Sequence, residues 1–365
     1  MKTATHPGAL SIGVVLLASG CATFGARVPS SPEDARLRTS ILSRSQVWAP
    51  TAVRSADFKA GPRGADAFSF RQTVECDYVD KHLDGASPKF ACAISRNDDV
   101  KVKFGRQNGE VYGEVLATRL LWGLGFGADR MYPVTVVCRG CPAALGGIEG
   151  PGNVSRFDPA VIERPMRGRE WPAEGKQGWA WSELNIVNPR LGGAPKAHRD
   201  ALKLLAVFLQ HTDSKPEQQR ILCLDQRESR TDSCRRPFLM INDVGLTFGR
   251  ANWKNANATG SVNLTAWRQT PVWKDENGCV GNLPKSLTGS LDDPVISEEG
   301  RRFLAGLLAQ LSDRQIRDLF EVARVELRRR APDDDSSGFA TVGAWVDAFK
   351  EKRSQILARR CAQGV

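Results

Sequence analysis

The chain has little histidine: four residues, His6, His82, His198 and His211, with no two in ligand spacing. It has one C-x-x-C pair, Cys138-Arg139-Gly140-Cys141, and no second. Together these scarcities argue against a structural zinc site, which needs four ligands in clusters. No hydrophobic run reaches the ~20 residues of a spanning helix. The longest, from Ala9 to Leu17, has the size of a signal-peptide core. There is no internal repeat, and no G-x-G-x-x-G loop. The net charge is +10, but the basic residues are scattered, with local clusters at Arg328-Arg329-Arg330 and Arg359-Arg360. No basic stripe is interleaved with aromatics, so nucleic acid is not an expected partner.

What is present begins with the start of the chain. The short charged opening, the apolar stretch and Ala18-Ser19-Gly20-Cys21 resemble a bacterial lipoprotein signal. That resemblance implies that residues 1–20 are removed, that Cys21 carries lipid, and that the protein sits in the cell envelope, periplasmic or surface-exposed, with the membrane as a partner through its anchor. Residues 21–66, rich in Ser, Pro, Ala, Arg and Gly without a sustained apolar period, read as a membrane tether. Eight further cysteines in an exported chain suggest disulfides. Local spacing favours Cys76–Cys92, Cys138–Cys141 and Cys223–Cys234, which leaves Cys279 with Cys361.

Residues 67–160 are expected to be β-rich. In Asp99–Phe104 apolar and polar residues alternate, the period of a half-buried strand, and Pro133–Cys138 is a second candidate. Glu110 to Leu124 has near-helical apolar spacing and is broken by Gly123, Gly125 and Gly127. Val161-Ile162-Glu163-Arg164-Pro165 reads as a strand running into a linker. Residues 161–365 are mostly helical by pattern. His198–Gln210 has a long apolar face, Ser297 can cap a helix through Leu308, and Ser312-Asp313-Arg314-Gln315 fits a capping box. A last helix is expected from about Thr341 to Arg359, and the acidic Pro332–Gly338 segment is expected as a loop.

Functional information concentrates in His211-Thr212-Asp213-Ser214-Lys215-Pro216-Glu217-Gln218, followed by Phe238-Leu239-Met240-Ile241-Asn242-Asp243-Val244-Gly245. The first resembles the H-R-D-L-K-P-E-N catalytic loop of protein kinases and the second their apolar strand ending in D-x-G. Gly85-Ala86-Ser87-Pro88-Lys89 is similar to the G-x-Q-x-K phosphate loop of HipA-type kinases, with Ser87 in place of Gln. The resemblance implies an α+β, two-lobed protein-kinase-like fold, with a β-rich N-lobe and a mostly helical C-lobe, stapled by disulfides.

The same resemblance implies roles. Gly85, Ser87 and Lys89 would approach phosphate oxygens. Lys103, or its strand neighbour Lys101, would contact the ATP phosphates, held by Glu114 or, one turn earlier, Glu110. Glu163 would border the nucleotide. Asp213 would orient or deprotonate the acceptor hydroxyl and Lys215 would stabilise the transferring group. Asp243 would hold magnesium, with Gln218 at the second-metal position of an Asn. Gln219 could substitute for Gln218, and His211 reads as a structural loop residue. ATP and Mg are the implied cofactors, and the acceptor is an unidentified protein or small molecule. The alternative is a pseudokinase acting as an envelope binding module. A third reading is a structural lipoprotein whose motifs arise by chance. Asp213 and Asp243 lie thirty residues apart. That spacing requires a hairpin around Asp225–Ser233, clamped by Cys223–Cys234.

Overall fold

The computed structural model describes residues 31–171, 178–225, 234–249, 261–328 and 340–362. The signal segment, Cys21, most of the Asp225–Ser233 insertion and the Pro332–Gly338 loop lie outside them. The chain is mixed α+β, with a β-rich part and a helical part. Among the described residues no helix is long and apolar enough to cross a membrane.

The β-rich part is built on β1 (Thr73–Val79), β2 (Lys89–Ser95), β3 (Asp98–Phe104), β4 (Arg130–Arg139), β5 (Ile148–Gly150) and β6 (Val154–Arg164). Their order is β3-β2-β1-β4-β6-β5, and β3 also pairs with β6. That last pairing closes β3-β2-β1-β4-β6 into a five-stranded barrel with β5 appended to β6, removing the exposed strand edges an open sheet would leave. The period-2 alternation puts Tyr132, Val134, Val136 and Cys138 of β4 into a core with Phe90, Val100, Val102, Phe157 and Ile162. Cys76–Cys92 ties β1 to β2 at a Cα separation of 5.6 Å, and Cys138–Cys141 closes the turn after β4.

One helix, α2 (Glu110–Leu124), connects β3 to β4. Nearly every residue of it is buried, including Glu114, Thr118 and Arg119, because it packs between barrel and helical body. It ends at Gly125 in the left-handed region (φ +88°), where a Cβ would lie 2.2 Å from the Ala49 carbonyl oxygen. Its bounds match the helix read from the sequence.

The helical body contains α3 (Lys196–Leu209), α4 (Leu264–Gln269), α5 (Glu298–Leu308), α6 (Asp313–Val322) and α7 (Val342–Ala358). The expected caps form: Ser297 accepts the Gly300 N–H at 3.2 Å, and Ser312 and Gln315 exchange backbone-to-side-chain bonds at 3.2 and 3.0 Å. Six aromatic rings, Phe208, Phe248, Trp267, Phe320, Trp345 and Phe349, pack together under α7. A three-stranded sheet, β7 (Arg169–Trp171), β8 (Arg220–Cys223) and β9 (Pro237–Met240), lies in the order β7-β8-β9. β8 and β9 are antiparallel, and Cys223–Cys234 clamps them, as the thirty-residue spacing required. The fourth bridge, Cys279–Cys361, is also the one left by elimination.

The expected tether over 21–66 is corrected where it is described. Residues 31–66 are part of the folded body. Ser31 caps α1 (Pro32–Ser43), with Pro32 at the first helical position. Ile41, Leu42, Val47, Val53 and Phe58 are buried in the main core. Gln46 exchanges backbone hydrogen bonds with β9, through Pro237 and Leu239, and Ala49 bonds to Gly125. These apolar residues follow a path over two surfaces rather than a repeating face, so no period announces them.

Candidate active site

Asp84–Lys89, β3, the start of α2, the 213–220 loop and Asp243 line one cleft of about 680 Å³. At its floor is Lys103, 3% exposed. Its ammonium lies 2.5 Å from Glu114 Oε1, 2.7 Å from Glu110 Oε2 and 3.9 Å from Asp243 Oδ1. The sequence left Lys101 and Lys103 as rivals, and Glu110 and Glu114 likewise. Lys103 occupies the buried position, and both glutamates engage it because residues four apart share a helix face. Lys101 pairs instead with Glu163, its register partner on β6. Glu163 therefore pairs with a lysine that lines the cleft without lining it itself.

Burial disfavours the Lys103 charge, but Glu114, Glu110 and Asp243 outweigh it and hold the ammonium charged well above its ordinary range. Burial lifts the Glu114 carboxyl to about 8 despite the adjacent lysine. Three carboxylates thus surround one ammonium, and Glu110, Glu114 and Asp243 bring their oxygens within 4.8 Å of one another.

The turn at 85–88 is pinned to this cluster. Gly85 is left-handed (φ +97°), and a Cβ there would meet the Lys89 ammonium at 2.6 Å. Ser87 Oγ donates to Glu110 Oε2 at 2.8 Å. Asn108 donates to the carbonyls of Pro88 and Phe104, both at 3.2 Å, and accepts the Glu110 N–H at 3.1 Å. Sequence reasoning missed Asn108, although an Asn just ahead of a helix is a capping signal. Lys89 is half-buried, and burial together with the nearby Lys103 lowers its pKa.

Across the cleft, Asp243 is held at φ +52°, uncommon for a residue with a side chain, and its N–H bonds to the Asn242 side chain at 2.8 Å. Burial alone would raise its pKa, but Lys103, Lys101, Lys215 and Lys89 outweigh that and lower it. Asp213 is buried on the 211–215 segment after α3. Burial raises its pKa and Lys215, 3.1 Å away, pulls it back. The Gln218 amide nitrogen bridges the two acids, 2.7 Å from Asp243 Oδ2 and 3.2 Å from Asp213 Oδ2. Its Oε1 is buried with no hydrogen-bond partner, as are both amide atoms of Gln219. His211 is fully buried with neither ring nitrogen bonded, and burial pushes it down to about 4, so it is neutral and structural at ordinary pH.

Backbone contact locks the two sides together. A Cβ on Gly113 would lie 2.3 Å from the Gly245 carbonyl oxygen, and one on Gly245 would lie 2.5 Å from Glu110 Cγ. The glycine of the D-x-G turn therefore lets α2 sit directly on the Asp243 segment. Lys103, Glu110, Glu114, Asp213, Lys215, Gln218 and Asp243 come together; Glu163 reaches the cleft through its pair with Lys101.

The donors present fit a hard cation. Asp243 turns a 42% exposed side chain toward the cleft. The orphaned Gln218 oxygen could join it on turning the amide over, giving the all-oxygen set magnesium favours.

No family model matches the chain, and no curated protein sequence does. The fold is similar to that of the proinflammatory kinase CtkA of Helicobacter pylori over 79% of this chain and 96% of that one, at 10% identity and a TM-score of 0.42. It is also similar to a chain of the HipA–HipB–operator DNA toxin–antitoxin complex of Shewanella oneidensis MR-1, over 77% of this chain and 65% of that one, at 14% identity and a TM-score of 0.29. At these TM-scores neither likeness carries an argument about the site.

Proposed function

We propose that the protein is an ATP- and magnesium-dependent phosphotransferase of protein-kinase-like, two-lobed architecture, the barrel and the helical body forming the lobes. The observation that carries this reading is the buried Lys103, ringed by Glu110, Glu114 and Asp243, with Gln218 linking Asp243 to Asp213. Separate segments of the chain supply these groups to one cleft, in the roles phosphoryl transfer requires.

In this reading Gly85, Ser87 and Lys89 receive the phosphates and Lys103 pairs with their oxygens. Asp243 and, with its amide turned over, the Gln218 oxygen would hold magnesium, which would neutralise phosphate charge. The acceptor hydroxyl docks at Asp213. As its oxygen bonds to the terminal phosphorus, its proton passes to the Asp213 carboxylate. The bridging P–O bond breaks, and its electron pair leaves with the departing phosphate. Lys215 stabilises charge on the group in flight. The acceptor is a protein or small molecule, and nucleic acid is not a partner. Lipid at Cys21 would place the chain in the bacterial cell envelope. Mass spectrometry of the mature N-terminus tests this, and an intact Met1 would refute it.

One observation favours a pseudokinase as the second reading. The Gln218 amide hydrogens already occupy the space between both acids, an arrangement that is satisfied without metal. Nucleotide binding with and without magnesium separates the readings. Asp243→Ala is expected to abolish magnesium-dependent binding. Asp213→Ala is expected to keep it while transfer falls ~10²–10⁴-fold. Binding without any transfer by the wild type favours the pseudokinase, and no binding at all removes the phosphotransferase.

A further inference from the structure

The floor of the cleft is charged along its length. Lys89 and Lys103 are directly opposite each other across β2 and β3. Like charges opposite one another in a sheet repel, so an isolated protein has no reason to put them there. The carboxylates near Lys103 offset part of that repulsion, yet Lys89 makes no ion pair among the described residues and points its ammonium over the Gly85 turn. The next same-face position on β3 is Lys101, ion-paired to Glu163 across β6. A base attached to phosphates at Lys103 and extending along these strands would meet that ion pair, not an apolar surface. Among the described residues lining the cleft, only Ala86, Pro88 and Leu246 are apolar with side chains, and none is aromatic. The cations Lys89, Lys101, Lys103, Lys215 and Arg220 line the same space.

We infer that the cleft recognises its phosphoryl donor through the phosphate chain and, among its described residues, offers a nucleobase no apolar slot, so an inorganic tripolyphosphate serves as well as a nucleoside triphosphate. This rests on the phosphotransfer reading above and names its donor class. With tripolyphosphate the chemistry balances in the same way. The terminal P–O–P bridge breaks, pyrophosphate leaves with the electron pair, the acceptor oxygen bonds to phosphorus, and its proton goes to Asp213.

Calorimetric titration of the purified protein with ATP, GTP and sodium tripolyphosphate, each with magnesium, tests it. A stacked base contributes on the order of 5- to 150-fold in affinity. The three dissociation constants are expected to agree within about fivefold, the low end of that contribution. ATP binding more than about tenfold tighter than both GTP and tripolyphosphate, beyond that margin, overturns the inference and leaves the phosphotransferase standing. Failure of all three to bind with magnesium removes the phosphotransferase itself. A second variant tests the cause. Lys101→Val combined with Glu163→Val replaces the ion pair by an apolar face, and ATP should then gain at least about fivefold over tripolyphosphate by burying the base against it. An unchanged ratio in a folded double variant overturns the assignment of the base position to that pair.

Discussion

Lys103 is the residue on which the cleft depends most, because its ammonium is the cation shared by Glu114, Glu110 and Asp243. Lys103→Ala would leave Glu114 and Glu110 facing each other without a cation. Breaking a buried pair from one side costs roughly 3–5 kcal/mol. In that variant the Glu114 carboxyl would be lifted further above its unfolded value, so the folded state binds more protons than the unfolded chain. Its stability should therefore rise as pH falls from 8 toward 5, read by urea unfolding at each pH. Lys352 is the opposite case. It is fully buried, donates to the carbonyls of Trp267 at 3.1 Å and Thr270 at 2.5 Å, and burial lowers it to about 7. The unfolded chain binds that proton up to about pH 10.4, so stability should climb by up to roughly 4 kcal/mol between pH 7 and that value. Lys352→Met should flatten the climb. A wild-type protein with no such rise refutes the assignment. Both aspartates were legible in the sequence from their motifs, whereas the lysine and the glutamate were legible only as the rival pairs Lys101 or Lys103 and Glu110 or Glu114. The pairing of Glu163 with Lys101 was not legible, because it is set by strand register.

At the scale of elements, the decisive contact is between α2 and the D-x-G turn. Gly113→Ala would drive a methyl against a backbone carbonyl that has no rotamer to yield, so α2 must move. Overpacking of this kind costs about 1–3 kcal/mol. Gly306→Ala is a control in α5, where nothing lies within 4 Å of the added Cβ and no loss is expected. Thermal unfolding compares them, and equal stability of Gly113→Ala with wild type would refute the contact. Movement of α2 also moves Glu110 and Glu114, so magnesium-dependent nucleotide binding should weaken in Gly113→Ala and not in the control. Strands β3, β4 and the end of β6, with α2, α3, α5, α6 and α7, were legible because period and caps are local signals; β1, β2, β5 and α4 were not. The small sheet β7-β8-β9 was less so, since its strands are three or four residues long and far apart in sequence. The apolar run before Asp243, the Asp213–Asp243 spacing and the cysteine spacing pointed to its β8–β9 hairpin, and nothing pointed to β7.

Across the whole molecule, the four disulfides differ in what they hold. Cys279–Cys361 closes a separation of 82 residues and Cys138–Cys141 one of 3. Chain entropy makes the long bridge worth about 4.5 kcal/mol. Replacing Cys279 and Cys361 together by Ser should lower the unfolding midpoint far more than the same change at 138 and 141. Comparable midpoints for the two double variants would contradict this. The segment 31–66 was the largest misreading at this scale. Its composition resembles a linker, and its burial is decided by contacts with residues far along the chain.

That segment has a mechanical consequence. Gln46 is stitched by backbone bonds to β9, the strand that leads into Asp243, and Ala49 to the end of α2, the helix that carries Glu110 and Glu114. Force applied to the chain ahead of α1 would pass first through the Arg38–Glu183 pair and the Ser43–Asn188 and Ser45–Ala194 backbone bonds, and then onto both halves of the cleft. Tension at the N-terminus and occupancy of the cleft should trade against each other, as a line tied to a hinge both holds a door and feels it swing.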